Sequence, residues 1–192
     1  METEIHPLKP FVPKETKVLM LGSFPPKRER WSMDFFYPNF QNDMWRIFGI
    51  IFFNDKNNFV VAGQKIFDKE KIENFCDEKG IALFDTASEV IRLKDNASDN
   101  FLKITKETDI SKLLSEMPKC DSIIVTGQKA CEIAANQLLI DAPKVGEKAL
   151  FHIGKRTLSL YRTPSSSRAY PLALEKKAEI YKQCLCEIGI MH

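Results

Sequence analysis

Two short segments far apart in the chain carry the residue types that grip phosphates. Gly22-Ser23-Phe24-Pro25-Pro26 ends the apolar run Val18-Leu19-Met20-Leu21, and Pro164-Ser165-Ser166-Ser167-Arg168 follows the run Leu158-Ser159-Leu160-Tyr161 and Arg162-Thr163. Serine hydroxyls and turn N–H groups donate to phosphate oxygens, and an arginine adds charge with a forked set of donors. Apolar strands that empty into such turns belong to a sheet whose C-terminal edge gathers its loops, and that edge is where ligands bind. The chemistry expected there is recognition of a phosphate backbone.

The charge distribution agrees. Lys and Arg total 28 against 26 Asp and Glu, a net charge of +2 that says little by itself. Between Glu147 and Glu175, however, no acidic residue occurs, while Lys148, Lys155, Arg156, Arg162 and Arg168 do. Lys27, Arg28 and Arg30 follow the first loop. Basic clusters beside a site edge suit a nucleic-acid footprint, a solvated charged face being the plain alternative.

Other classes are disfavoured. No apolar run approaches the roughly 20 residues that span a bilayer, and Met1-Glu2-Thr3-Glu4-Ile5 lacks the basic and apolar parts of a secretory signal. A cytoplasmic protein without membrane contact is expected. Five scattered cysteines and three histidines show no metal-ligand spacing, so neither metal nor cofactor is expected. No exposed heptad argues for an oligomer, and a monomer is expected.

The elements that must position the loops follow from periodicity and punctuation. Strands are expected at Lys17–Leu21, Ile81–Phe84, Ser122–Val125 and Thr157–Tyr161. Helices are expected from an Asn42 or Asp43 cap through Ile51, over Lys65–Lys79 with Gly80 as stop, over Ile110–Met117, from Lys129 to about Leu139, and over Ala173–Ile188. Pro7, Pro10 and Pro13 mark a lead that wraps the surface, and Asp95-Asn96-Ala97-Ser98-Asp99 a loop. Short apolar strands alternating with helices predict an α/β fold. Its expected form is one domain over residues 1–192, a three-layer α/β/α sandwich around a central four-stranded parallel sheet.

Four segments, in order, carry a resemblance to a known family. Gly22-Ser23-Phe24-Pro25 with Phe36-Tyr37-Pro38-Asn39-Phe40-Gln41-Asn42-Asp43-Met44-Trp45 resembles the first signature of the uracil-DNA glycosylase superfamily. The nearest branch is the hypoxanthine/uracil group, related to the mismatch-specific enzymes. Gly80–Asp85 with Asp95–Asn100, Thr126-Gly127-Gln128-Lys129-Ala130, and Pro164-Ser165-Ser166-Ser167 are similar to later signatures of that branch. The matches span about Val18 to Ser167.

The resemblance implies an enzyme that flips a damaged base out of DNA and hydrolyses its glycosidic bond, with duplex DNA as partner and no metal or cofactor. By alignment on Trp45, Tyr37 falls on the aromatic that stacks the base and Asn42 on the residue that holds the water. Asn42 also suits a helix cap, and Tyr37 a core or rim aromatic. Asp43 or Asn39 would assist Asn42. Gly22, Ser23, Phe24 and Asn39 would contact the base, and Gln128, Pro164, Ser165, Ser166, Ser167 and Arg168 the DNA. Trp45 is expected in the core.

The departures are specific. Phe24 stands where mismatch-specific relatives carry a catalytic asparagine, Thr163 where the classical uracil enzymes carry histidine, and Pro26, which has no N–H, where the branch has glycine. A binding module of the same fold with little or no catalysis is therefore the second reading. The third is an α/β protein binding another phosphate ligand, although neither G-x-G-x-x-G nor G-x-x-x-x-G-K-[ST] is present.

Overall fold

A computed structural model describes residues 2–93 and 101–191, so the expected loop at Asp95–Asp99 lies outside the described residues. The chain runs through β1 (Thr3–Ile5), β2 (Val18–Gly22), α1 (Met44–Phe53), α2 (Lys69–Lys79), β3 (Ile81–Asp85), β4 (Ala87–Arg92) and β5 (Leu102–Glu107). It continues through α3 (Ile110–Ser115), β6 (Ser122–Thr126), α4 (Gln128–Leu138), β7 (Lys148–Ile153), β8 (Arg156–Thr163) and α5 (Leu174–Ile188). Strands β2, β3 and β6 are buried along their whole length, as expected of unbroken apolar runs covered on both faces.

The main sheet has five strands in the order β3-β2-β6-β8-β7. The first four pair in parallel, and β7 joins β8 antiparallel. The sheet is thus mixed rather than a four-stranded parallel one. A second sheet, β1-β4-β5, is antiparallel throughout. Three of the four strands outside the parallel set offer little apolar signal: β7 buries Phe151 alone, β5 Leu102 alone, and β1 nothing.

The helices sort into two layers. The β2–β3 connection runs one way across the sheet and the β3–β6 connection the other, and right-handed crossovers then put their helices on opposite faces. On one face Phe48 of α1 meets Phe75 of α2 edge-on, at 5.8 Å between ring centroids, and α1 packs against α5. On the other, the Gln137 side-chain carbonyl of α4 accepts the Ile110 N–H of α3 at 3.2 Å.

Local chemistry sets the helix ends. Asp68 caps α2 by accepting the Lys71 N–H at 3.1 Å, so that helix starts later than the expected Lys65. Gly80, at φ +70°, ends it in the left-handed conformation that glycine adopts without a β-carbon penalty. Trp45 is buried in the core among Phe35, Phe48 and Phe59, and its indole N–H donates to the Phe36 carbonyl at 3.0 Å. No helix among the described residues is long and apolar enough to cross a membrane.

Candidate active site

Neighbouring strands β2 and β6 lead their chains in opposite directions, and a crevice opens at their carboxyl ends. A cavity of about 640 Å³ lies there, walled by the segments that follow β2 and β8 and by the last residues of β3 and β6, Asp85 and Thr126. Gly22, Ser23, Phe24, Tyr37, Asn39, Asn42, Ser165, Ser166, Ser167 and Arg168 all line it. Residues 145 positions apart in the chain, from Ser23 to Arg168, are thereby gathered around one space.

The first wall is the turn after β2. Its carbonyls are committed: Gly22 accepts from the Thr86 N–H at 2.9 Å and hydroxyl at 3.0 Å, and Ser23 from the Ala87 N–H at 3.1 Å. Pro25 accepts from Arg92 at 3.2 Å and Pro26 from the Trp31 indole at 2.7 Å. A rigid turn results, although Pro26 offers no N–H of its own. Phe24 borders the cavity but is buried against Ala87, Val90 and Leu102 of the small sheet.

Tyr37 has φ +51°, a left-handed conformation uncommon for a bulky residue. Its hydroxyl lies 3.3 Å from the Thr126 hydroxyl at the end of β6, and its ring meets Trp45 edge-on at 6.1 Å. Asn39 turns the chain by accepting the Gln41 N–H at 2.9 Å.

Asn42 precedes the N-cap residue Asp43 and does the capping chemistry for α1: its side-chain carbonyl accepts the Met44 N–H at 2.9 Å. Asp43, the other expected cap, makes no side-chain cap bond. An amide carbonyl has two lone pairs and its NH2 two donors, so the cap consumes only part of what Asn42 offers.

The second wall is the loop after β8. It is stitched to the first at the start of α1, where Asp43 N–H donates to Ser166 O at 2.8 Å and Asn42 bridges to Ser167. The Tyr181 hydroxyl of α5 donates to Pro164 O at 2.9 Å, and Lys177 Nζ to Ser167 O at 2.7 Å. The Ser165 hydroxyl accepts the Ser167 N–H and the Ser167 hydroxyl the Ala169 N–H, each at 3.2 Å. Both hydroxyls keep a proton to donate toward a phosphate oxygen.

Asp43 sits among cations. Arg168 Nε is 2.9 Å from its Oδ1, Arg46 3.8 Å from the same oxygen and Lys177 3.9 Å from Oδ2. Burial pushes the Lys177 ammonium and the Arg46 guanidinium down from their ordinary ranges, and the Asp43 charge opposes that in both. This carboxylate holds the loop in place instead of facing the cavity as a helper of Asn42.

Two expected positions, Gln128 and Pro164, lie elsewhere, as does Thr163. Gln128 is exposed at the start of α4, and its amide donates to Glu132 at 2.7 Å. Pro164 is buried behind the serine loop. Thr163, in the slot where a histidine was looked for, is fully buried and its hydroxyl donates to Val125 O at 3.2 Å.

Residues beyond the expected set also line the cavity: Asp85, Arg30 and Arg92 among them. Behind Asp85 stands His6, with Nε2 2.9 Å from Oδ2. Asp85 closes the motif Gly80–Asp85 and was visible there without a role; nothing in the spacing of His6 pointed to it. Among the described residues no group of three His, Cys, Asp or Glu side chains is arranged to hold a metal ion.

No family model matches the chain, and no curated protein does. A likeness emerges among solved structures. The chain superposes on the solution NMR structure of a Methanosarcina acetivorans protein, provisionally named uracil DNA glycosylase, with a TM-score of 0.60 at 21% identity. The match covers 92% of this chain and 95% of that one, so the two share a fold over nearly their whole lengths.

Proposed function

We propose that this chain is a DNA glycosylase that hydrolyses the N-glycosidic bond of a flipped, deaminated base, uracil or hypoxanthine. The observation that carries the reading is that Asn42, Tyr37 and the Ser165–Arg168 loop border one cavity of about 640 Å³. That volume suits a nucleoside-sized ligand. The fold shared with a protein provisionally named for this activity supports it.

In this reading the base leaves the helix and stacks on Tyr37, while the turn at Gly22 and Ser23 meets its edge. The free lone pair of the Asn42 carbonyl accepts a hydrogen bond from a water aimed at the sugar C1′. The C1′–N bond breaks with its electron pair leaving on the base, the water oxygen bonds to C1′, and the proton the water sheds ends in solvent. The hydroxyls of Ser165 and Ser167 and the charge of Arg168 hold the flanking phosphates.

The test is base release from labelled duplexes carrying uracil or hypoxanthine, with Asn42→Ala and Asn42→Ser in parallel. Serine retains a cap for α1, so loss of activity in both separates the water from the cap. Abasic product from the wild type, lost in both variants, is the expected result. Product formed equally by all three would remove Asn42 from the chemistry.

A second reading is favoured by Thr163 and Asp43, whose polar groups are turned to Val125 and Arg168. A binding module of this fold would hold a lesion duplex and leave its base intact. Salt-dependent affinity without product on any lesion is its signature.

A further inference from the structure

We propose that Lys177 is a positioning residue for DNA binding: it takes over the Asp43 carboxylate when Arg168 leaves it for a DNA phosphate. The inference rests on the reading of the Ser165–Arg168 loop as a DNA contact. Its warrant is a buried ammonium whose donors are only partly used.

Lys177 stands in the first turn of α5 and reaches the loop after β8. Its side chain is 1% exposed, yet among the described residues Nζ makes one hydrogen bond, to Ser167 O at 2.7 Å. An ammonium has three donors, and donors left unused in a buried place are costly. Among the described residues the carboxylate within reach is Asp43, whose Oδ2 lies 3.9 Å away. That is too far for a hydrogen bond. A move of about 1 Å by the flexible lysine stem would bring the pair into the ordinary range of charged bonds. Nζ can then hold Ser167 O and Oδ2 together.

Asp43 shows why the reserve donors matter. Its side chain is 9% exposed, and among the described residues its one side-chain hydrogen bond comes from Arg168 Nε. Arg46, at 3.8 Å, is spent on the Phe40 and Asn42 carbonyls and lies over the Phe40 ring. Of the three cations only Arg168, half exposed, can reach a strand. If it turned outward with nothing in its place, a nearly buried carboxylate would be left without a donor, a strongly disfavoured state. Lys177 closing on Oδ2 prevents that.

The loop itself need not move. Asp43 N–H still donates to Ser166 O, and Asn42 still bridges to Ser167. Arg168 is thus the exchangeable cation of the cluster and Lys177 the resident one.

The experiment measures affinity, over a salt series, for a uracil duplex whose target nucleotide carries 2′-fluorine, which resists hydrolysis. Arg168→Gln sets the scale: loss of one phosphate contact shrinks the slope of log K against log salt by about 1. Lys177→Met should show the same shrinkage and bind roughly 10-fold more weakly, because Arg168 is then kept at Asp43. Lys177→Gln, which retains a donor for Ser167 O but no charge, should match it. Adding Asp43→Asn to Lys177→Met releases Arg168 and should restore the wild-type slope and most of the affinity. A loop merely loosened by Lys177→Met would bind worse after that second change. Unfolding midpoints accompany each variant, and every titration is run well below the lowest. A wild-type slope kept in both Lys177 variants overturns the proposal, as does a double variant no better than Lys177→Met. So does a wild type without affinity for the duplex. Base release from the unfluorinated duplex is scored separately. Release without the slope change keeps the glycosylase and removes the role of Lys177; the slope change without release does the reverse.

Discussion

Arg168 Nε donates to Asp43 Oδ1 across 2.9 Å, tying the loop after β8 to the residue that opens α1. The family resemblance implies that Arg168 contacts the DNA. The side chain is half exposed, so a phosphate can compete with Asp43 for it.

Asp43→Ala removes the carboxylate among Arg168, Arg46 and Lys177. Lys177 and Arg46 are nearly inaccessible, and a buried charge stripped of its partner typically costs about 3–5 kcal/mol. The expected loss is near the lower figure, because both cations keep hydrogen bonds to carbonyls. Urea unfolding checks it, with an unchanged m-value as the sign that stability alone has moved. Lys177→Met, which removes the charge with its stem retained, should cost less.

Gly22→Ala places a methyl group against Asp85 Oδ1. Overpacking of this kind costs about 1–3 kcal/mol. In Gly22→Ala/Asp85→Ala the clash is gone, so the double variant should be more stable than the two single losses sum to. A double-mutant cycle by chemical denaturation reads that coupling directly.

Arg30→Gln tests the rim opposite the serine loop. Arg30 is exposed and lines the cavity, where a strand entering it would meet a cation. Affinity for lesion duplexes should fall severalfold, and the slope of log K against log salt should shrink by about 1. Equal slopes in the two proteins would place Arg30 outside the footprint.

The thiols provide a probe of the fold. Burial pushes Cys120 and Cys184 up to about 11 and raises Cys76 and Cys131 as well. Cys186 is exposed. Thiolate is the reactive form, so alkylation of the native protein near neutral pH should modify Cys186 first, and mass spectrometry should find the other four modified only on unfolding.

Much of this was written locally in the chain. Val18–Leu21, Ile81–Phe84 and Ser122–Val125 announce themselves as strands because each is apolar throughout. The turns after β2 and β8 announce a site because their clustered Gly, Pro and Ser favour turns over continued strand. The Asn42 cap was legible from its place before an apolar helix. What was not legible depends on partners distant in sequence. β1 exists because Thr3–Ile5 pairs with Glu89–Ile91, and His6 matters because Asp85 is beside it. Asp43 reads as a carboxylate free for chemistry until Arg168 and Lys177 close on it. Gln128 reads as a loop residue over the site edge, yet α4 begins there and Glu132, one turn on, takes its amide.

The joint between Asp43 and Arg168 spans 125 positions of chain. Contacts of such separation are slow to form because loop closure must precede them. The cavity wall is therefore a seam between a part of the chain near α1 and a part near α5. A ligand lying across the seam binds only when both sides are in place, so it holds them together. Occupancy should then raise the unfolding midpoint by mass action and slow amide exchange first in residues 165–168, which makes the seam a reporter of whatever fills the cavity.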